Sequence, residues 1–352
     1  MRVAIEAATL GLTSGGLARY TGELSLGLAR TFPDDEFYLV SDRPVAMPAG
    51  APSNLKRGGG PRNAAERRWW LWGLPRELGR LGADVIHGPD FAVPYLARRP
   101  SVLTLHDLSP WMDRRWQRAA TRVRRRTPAL LELGIATMVI TPAESVRKQA
   151  IDRFHLNPDR VAAIPEAAAP WFAPVAPKPS PDPPYFLFVG TLEPRKNVPA
   201  LIAAWREVRR AHPVDLVFAG RKRDDFDGVS EENGVRWLGE VPDRALPELY
   251  SGALALVYPS LYEGFGLPVL EAMQCGACVI ASPAVREAGG DAAIYAATPA
   301  ELVQAMRSVC EQPELAAALR ERSLERARKF SWQRTAKATY QVYLEARRRF
   351  GK

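Results

Sequence analysis

Residues 253–281 read ALALVYPSLYEGFGLPVLEAMQCGACVIA. Ala253–Tyr258 is a short apolar run of strand type, and Cys278–Ala281 is another. Between them, Glu263-Gly264-Phe265-Gly266-Leu267 forms a glycine turn that enters a helical stretch. Pro268 suits the first turn of a helix and Gly276 its C-terminal end. Strand, loop, helix and strand within about 30 residues is the length of a parallel α/β unit. The backbone amides of Gly264, Phe265, Gly266 and Leu267 would then surround a helix N-terminus, where an anion is favoured. Glu263 stands on the loop and Glu271 one turn into the helix. Two carboxylates so placed could flank one ligand, one near a sugar and one near a ribose diol.

The same alternation extends in both directions. Upstream, Tyr185–Val189 reads as a strand, Val198–Ala211 as a helix, and Val214–Ala219 and Val235–Leu238 as further strands. Nearer the N-terminus, apolar runs at Arg2–Ala7, Phe37–Val40, Val85–His87, Ser101–Leu105, Thr137–Ile140 and Val161–Ile164 are separated by longer amphipathic stretches. Leu17, Tyr20, Leu24 and Leu28 fall near helical spacing on one face. Strands alternating with helices predict parallel sheets covered on both sides. The alternation stops once, where Pro170 to Pro184 holds seven prolines in fifteen residues, an extended linker. The predicted domains are therefore 1–170, a linker at 171–184, and 185–330. A final helix follows over 331–352, after a break at Phe330-Ser331-Trp332. In open parallel sheets ligands bind at the carboxyl ends of strands, so two such sheets place the site in the cleft between them.

Length and composition agree with this reading. The chain has 352 residues, room for about two domains. Its 47% hydrophobic and 25% charged content excludes intrinsic disorder, collagen and a disulfide-stapled miniprotein. The net charge of +9 is concentrated. Residues 61–126 hold fourteen Arg and no Lys against six acids, together with five of the nine Trp: Trp69, Trp70, Trp72, Trp111 and Trp116. Arg115, Arg118, Arg122 and Arg126 predict one basic stripe on a helix. The window suits a solvated face, or a surface for anionic lipid or a lipid-diphosphate acceptor. No nucleic-acid-binding motif accompanies the charge, so nucleic acid is not expected. Glu6 interrupts the N-terminal apolar stretch and no cleavage site follows, so no signal peptide is read. No apolar run approaches the length of a membrane span. Three cysteines, Cys275, Cys278 and Cys310, fit a reducing, cytoplasmic setting.

Three further strand-end loops carry candidate chemistry. Gly11-Leu-Thr-Ser-Gly-Gly16 joins the first strand to the first helix, where Gly15 and Gly16 let backbone approach a phosphate or sugar, with Ser14 as a possible cap. A dinucleotide site would need a different glycine spacing. Leu103-Thr-Leu-His106-Asp107 ends a strand on a histidine and an acid, and His87 ends another. Phe188-Val-Gly-Thr-Leu-Glu-Pro-Arg195-Lys196-Asn197 runs from a strand through a glycine turn into adjacent cations. Such a pair can neutralise a diphosphate, Arg through its fork and Lys as a point charge.

Taken together, these residues resemble the nucleotide-sugar glycosyltransferases of family 4, also called glycosyl transferases group 1, which have the GT-B fold. The carriers are the Glu263–Glu271 element, GTLEPRKN (190–197), GLTSGG (11–16), LTLHDLS (103–109), FSWQRTA (330–336) and the block 241–282. Within the family the pattern is similar to bacterial O-antigen and polysaccharide mannosyltransferases. The resemblance implies two Rossmann-like domains with parallel sheets facing across a cleft, and a C-terminal helix crossing back to the first. It implies His106, Glu263, Arg195 and Lys196 as catalytic residues. It implies Gly15, Gly16, Arg195, Lys196, Glu263, Gly264, Phe265, Gly266, Leu267 and Glu271 as donor contacts, with Glu271 on the ribose hydroxyls. Arg195 and Lys196 would stabilise the leaving diphosphate in place of a metal. One departure stands out: many relatives have Asn-Gly after the strand at 161–164, where this chain has Pro165-Glu166-Ala167; Glu in this position also occurs in the family, and the departure is the missing glycine.

The resulting expectation is a retaining, metal-independent, cofactor-free hexosyltransferase. It would act on a nucleotide diphosphate sugar, first GDP-mannose, with UDP-sugars open. Its acceptor would be a glycan or lipid-linked hydroxyl, met in the cytoplasm or at the inner face of the plasma membrane. Paired carboxylates alone would also fit a retaining glycosidase. That reading leaves the cation pair and helix N-terminus without purpose. A non-catalytic sugar-nucleotide-binding scaffold would be marked by loss of Glu263, Arg195, Lys196 or Glu271, and all four are present. Asp225-Phe-Asp227 is formally a D-x-D metal motif but sits in a polar loop. Cys275-Gly-Ala-Cys278 lacks a second ligand pair for zinc.

Overall fold

The computed structural model describes residues 1–12, 15–96, 98–116, 120–176, 183–224, 226 and 232–351. The chain divides into two compact units, Met1–Glu166 with Ser331–Lys352, and Ala167–Phe330.

The first unit is built on seven parallel strands: β1 Arg2–Glu6, β2 Glu36–Val40, β3 Leu55–Arg57, β4 Val85–Gly88, β5 Ser101–Thr104, β6 Met138–Thr141 and β7 Val161–Ala163. Their order is β3-β2-β1-β4-β5-β6-β7. β4, β5 and β6 are buried at every position, as strands covered by helices on both faces must be. From β1 the chain steps outward to β2 and β3, then returns to pair β4 against the other side of β1. Loops leaving β1 and β4 therefore diverge and open a crevice at the carboxyl edge.

The second unit repeats the plan with six parallel strands: β8 Tyr185–Val189, β9 Asp215–Ala219, β10 Val235–Trp237, β11 Ala255–Tyr258, β12 Val279–Ala281 and β13 Ile294–Tyr295. The order is β10-β9-β8-β11-β12-β13, so the switch point lies between β8 and β11. The strands read from the sequence are all present, with ends shifted by one or two residues. β3 and β13 are additional, and both are short edge strands.

The helix Pro313–Ala327 lies in the second unit and Trp332–Arg349 in the first. Ser331 starts the latter, its hydroxyl accepting from the Arg334 amide at 3.2 Å. Trp332–Arg349 packs along the first helix, Gly16–Thr31, with Tyr340 stacked on Phe32 at 3.8 Å. From the same helix, the Tyr343 hydroxyl reaches Nδ1 of His87 at 2.7 Å. No helix among the described residues is long and apolar enough to cross a membrane.

The arginine–tryptophan window does not form the expected helical stripe. Arg114–Trp116 is a turn, and the helix begins only at Thr121. Asp113 captures Arg115 through the backbone amide at 2.8 Å and the guanidinium at 2.6 Å, which turns the chain before a helix can start. Arg122 and Arg126 lie on the helix, while Arg118 falls outside the described residues. Trp69–Gly73 forms a wide turn closed by the Gly73 amide on the Arg68 carbonyl at 3.4 Å. Of its three tryptophans, Trp69 is core, Trp70 is half-buried under Arg126, and Trp72 is exposed with Arg76 over its ring.

Candidate functional site

In the second unit, β8 and β11 are sequence-distant neighbours, and their carboxyl-end loops meet. After β8 the chain turns at Gly190 (φ +143°) and makes one tight helical turn, Pro194–Lys196. After β11 it carries Glu263 back over the same point. Lys196 Nζ donates to Glu263 Oε1 at 2.5 Å and to the Tyr258 hydroxyl at 2.5 Å. Arg195 Nη1 donates to Glu263 Oε2 at 2.9 Å and to the Tyr262 carbonyl at 3.1 Å. Arg195 Nε also pairs with Glu193 at 2.6 Å, and Arg223 reaches Glu193 at 3.4 Å. Three cations thus surround two carboxylates, and the balance is positive.

The electrostatics follow from burial. Burial alone would raise the Glu263 pKa, but Lys196 and Arg195 more than reverse this and hold it down at about 2. Glu263 is therefore an anion at any working pH. Burial pushes the Lys196 ammonium below its ordinary value, opposed by Glu263. Tyr258 is pushed well up by burial and then by Glu263, so it keeps its proton. Buried charges of this kind persist because they are paired.

Beside this cluster, Gly264 and Phe265 lead to Gly266 and the helix Leu267–Gln274. Gly266 has φ +105°, and a Cβ there would meet Val285 Cγ1 at 2.7 Å, so both conformation and space require glycine. Amides at the start of this helix lack partners within it and suit an anion. Glu271 is buried, not on the surface, and accepts from the Tyr250 hydroxyl at 3.0 Å. Cys275 and Cys278 are buried free thiols, raised by burial to about 12 and about 11. Asp225 and Asp227 of the D-x-D lie outside the described residues. Among the described residues, no group of three or more His, Cys, Asp or Glu gathers to hold a metal.

In the first unit, His106 follows β5. Its Nε2 lies 2.7 Å from the Pro89 carbonyl and its Nδ1 3.2 Å from Glu166. His87 is fully buried between Tyr343 and Thr104, and burial lowers its pKa to about 3, so it is a neutral packing group. Gly15 precedes the first helix with φ +116°, and the space where its Cβ would stand is open. Gly15 and Gly16 are exposed. Thr13 and Ser14 lie outside the described residues, and with them the cap assigned to Ser14.

The structure thus joins Arg195, Lys196 and Glu263 directly, and seats Glu271 on Tyr250. It adds Glu193, Arg223, Tyr258 and Tyr250, which the sequence reading did not select. Glu193 stood inside the quoted GTLEPRKN stretch. Arg223 carried no sequence signal, because only the β8–β9 pairing brings it to Glu193.

Two family models match the chain. Residues 172–326 match the model described as glycosyl transferases group 1, and residues 14–170 match that of glycosyltransferase family 4. O-antigen chain mannosyltransferase B of Escherichia coli is 33% identical over 288 residues, covering 74% of each chain. Among solved structures, sucrose-phosphate synthase from Thermosynechococcus elongatus superposes with a TM-score of 0.74 at 21% identity, covering 98% of each chain. WaaG, a glycosyltransferase involved in lipopolysaccharide biosynthesis, superposes with a TM-score of 0.72 at 17% identity over the whole of both chains. At these identities the structural likeness speaks to the fold.

Proposed function

The chain belongs to the family 4, or group 1, glycosyltransferases of GT-B fold, and on that premise we propose that it transfers mannose from GDP-mannose to a hydroxyl of a glycan or lipid-linked acceptor, with retention and without a metal. The observation that carries this reading is the positively balanced cluster of Arg195, Lys196 and Arg223 around Glu193 and Glu263. It stands at the carboxyl ends of β8 and β11, beside a helix N-terminus. Fixed cations in a buried setting stabilise charge developing on a departing diphosphate without reorganisation at the moment of reaction. They supply there what a divalent ion would otherwise supply. The choice of mannose is supported by the likeness to the Escherichia coli O-antigen mannosyltransferase.

In this reading the second unit holds the donor and the first the acceptor. Gly264 to Leu267 offer backbone amides to the phosphates, and Gly15 and Gly16 are further proposed donor contacts. Glu271 turns from Tyr250 to the ribose hydroxyls. The bond from the anomeric carbon to the diphosphate breaks through an oxocarbenium-like state. The acceptor oxygen bonds the same face, and its proton passes to the departing phosphate. Glu263 faces the sugar while holding both cations in place. A lipid-linked acceptor would be met at the inner face of the plasma membrane, with the basic window toward anionic lipid.

The test is a donor panel of GDP-mannose, UDP-glucose and UDP-N-acetylglucosamine read by thermal shift. A ligand at about 100 times its Kd stabilises the folded state by about 2.7 kcal/mol. The largest rise is expected with GDP-mannose, and a larger rise with a UDP-sugar would replace it as donor. NMR of the product's anomeric centre against that of the donor reads retention.

A further inference from the structure

His106 sits between two acceptors. Its Nε2 is 2.7 Å from the Pro89 carbonyl oxygen, which can only accept, so Nε2 carries a proton. In a neutral imidazole Nδ1 would then be bare, its lone pair facing the Glu166 carboxylate at 3.2 Å. Both contacts are satisfied together when the ring is an imidazolium. The ring is also fixed in place. Tyr20 presents its ring at 4.7 Å and 90°, and Phe91 packs at 6.2 Å. The segment that carries Glu166 is itself anchored, because the Pro165 carbonyl accepts from the Thr335 hydroxyl of the C-terminal helix at 2.7 Å.

We infer that Glu166 is a positioning residue of the transfer reaction, holding the His106 ring in one orientation as a doubly protonated cation at the carboxyl end of β5. The inference rests on the proposed reading that His106 lies near the reacting sugar.

The surroundings are consistent. From the segment after β4, Asp90 favours positive charge on the ring; burial raises the Asp90 pKa, opposed by His106 and Arg126, with Asp107 adding to the rise. From β4, His87 is buried and neutral. From the first helix, Tyr20 bonds Thr104 and keeps its proton. Burial opposes the charge on His106, but Glu166, Pro89 and Asp90 outweigh it, and its pKa lies above the ordinary value.

The chain has four histidines, so long-range 1H–15N NMR can follow each ring, with His106→Asn to assign the signal. Both His106 nitrogens are expected to carry protons at neutral pH. Glu166→Gln should lower the titration midpoint by about a pH unit or more. It should also move the alkaline limb of the kcat profile down by the same amount. Glu166→Asp keeps the carboxylate and should keep the limb near its wild-type position. A purely structural role would depress activity equally at every pH without moving the limb, and that result overturns the inference. So does a wild-type ring that is neutral at pH 7, or an unchanged midpoint in Glu166→Gln. The NMR arm needs no donor, so it stands apart from the choice of mannose.

Discussion

Lys196 and Glu263 are joined head to head at the ends of neighbouring strands, Nζ to Oε1 at 2.5 Å, although 67 positions separate them in the chain. The pair exists because β8 and β11 are adjacent in the sheet while β9 and β10 lie on the far side of β8. The two partners are nonetheless unequal. Glu263 also holds Arg195, whereas Lys196 also leans on the Tyr258 hydroxyl. Removing Lys196 deletes one charge from the proposed diphosphate site. Removing Glu263 takes the ion-pair partner from the buried Lys196, while Arg195 is still held by Glu193. Lys196→Ala and Glu263→Ala are each expected to lower kcat/KM at least about tenfold, roughly 1.4 kcal/mol of transition-state stabilisation. Only Glu263→Ala should also lower stability by several kcal/mol, because breaking a buried pair leaves uncompensated charge. Steady-state kinetics and thermal melts read the two effects separately, and near-normal turnover in both variants would sink the site assignment.

Gly266 gives a test of the proposed anion-binding loop that leaves every charge in place. Alanine there must adopt φ +105° and push its Cβ against Val285, itself buried in the core. Gly266→Ala should cost about 1–3 kcal/mol of stability. It should also weaken donor binding, because the amides of the helix N-terminus move. A destabilised variant with unaltered donor affinity would mean that the phosphates bind elsewhere.

Glu6 predicts a pH dependence with a definite sign. It ends β1, is buried, and has its pKa raised from 4.5 to about 8, first by burial, against the Ala8 amide contact, and with help from Asp42 and Asp90. Between those values the folded chain holds a proton that the unfolded chain has released. The stability linked to Glu6 is therefore complete below about pH 4.5 and is lost as pH rises toward 8. Glu6→Gln keeps an acceptor for Ala8 and removes the titration. Its melting temperature should exceed that of wild type at pH 8.5, with the gap closing near pH 5. Parallel melting curves across that range would show that Glu6 does not titrate as stated.

How far this was legible from the sequence depends on burial. Tyr185–Val189 is buried at every position, so it shows as a continuous apolar run. Leu55-Lys56-Arg57 has one buried residue at a sheet edge, and nothing marks it as a strand until β2 pairs with it. Arg195, Lys196 and Glu263 were visible as residue types at strand ends, but their mutual pairing was not, because sheet order is a long-range property. The arginines at 114–126 kept helical spacing, yet a local Asp113–Arg115 bond decided the backbone instead.

A metal requirement is tested directly by chelation. With Arg195, Lys196 and Arg223 proposed to supply the charge at the diphosphate, activity in excess EDTA is expected to stay within about twofold of control, under ~0.4 kcal/mol. Full loss that Mn²⁺ restores would overturn metal independence and move attention to Asp225 and Asp227.

The basic window predicts a membrane contact of stated chemistry. Trp72 is 37% exposed and Met112 54%, and Arg62, Arg67, Arg68 and Arg76 stand exposed around the same turn. Arg126 over Trp70 ties that turn to the helix Thr121–Glu132, which adds exposed Arg122 and Arg125. Tryptophan suits the boundary between headgroups and acyl chains, and each arginine near an anionic surface contributes about 1 kcal/mol. The protein should therefore sediment with vesicles containing phosphatidylglycerol and not with phosphatidylcholine alone. Raising salt from about 0.1 M to about 1 M shortens the screening length from about 10 Å to about 3 Å, so the electrostatic share of binding should collapse. Trp72→Ala and Arg67→Ala/Arg68→Ala should each weaken vesicle binding while leaving transfer to a soluble acceptor unchanged. Equal binding to neutral and anionic vesicles, or indifference to salt, would leave these arginines as a solvated face.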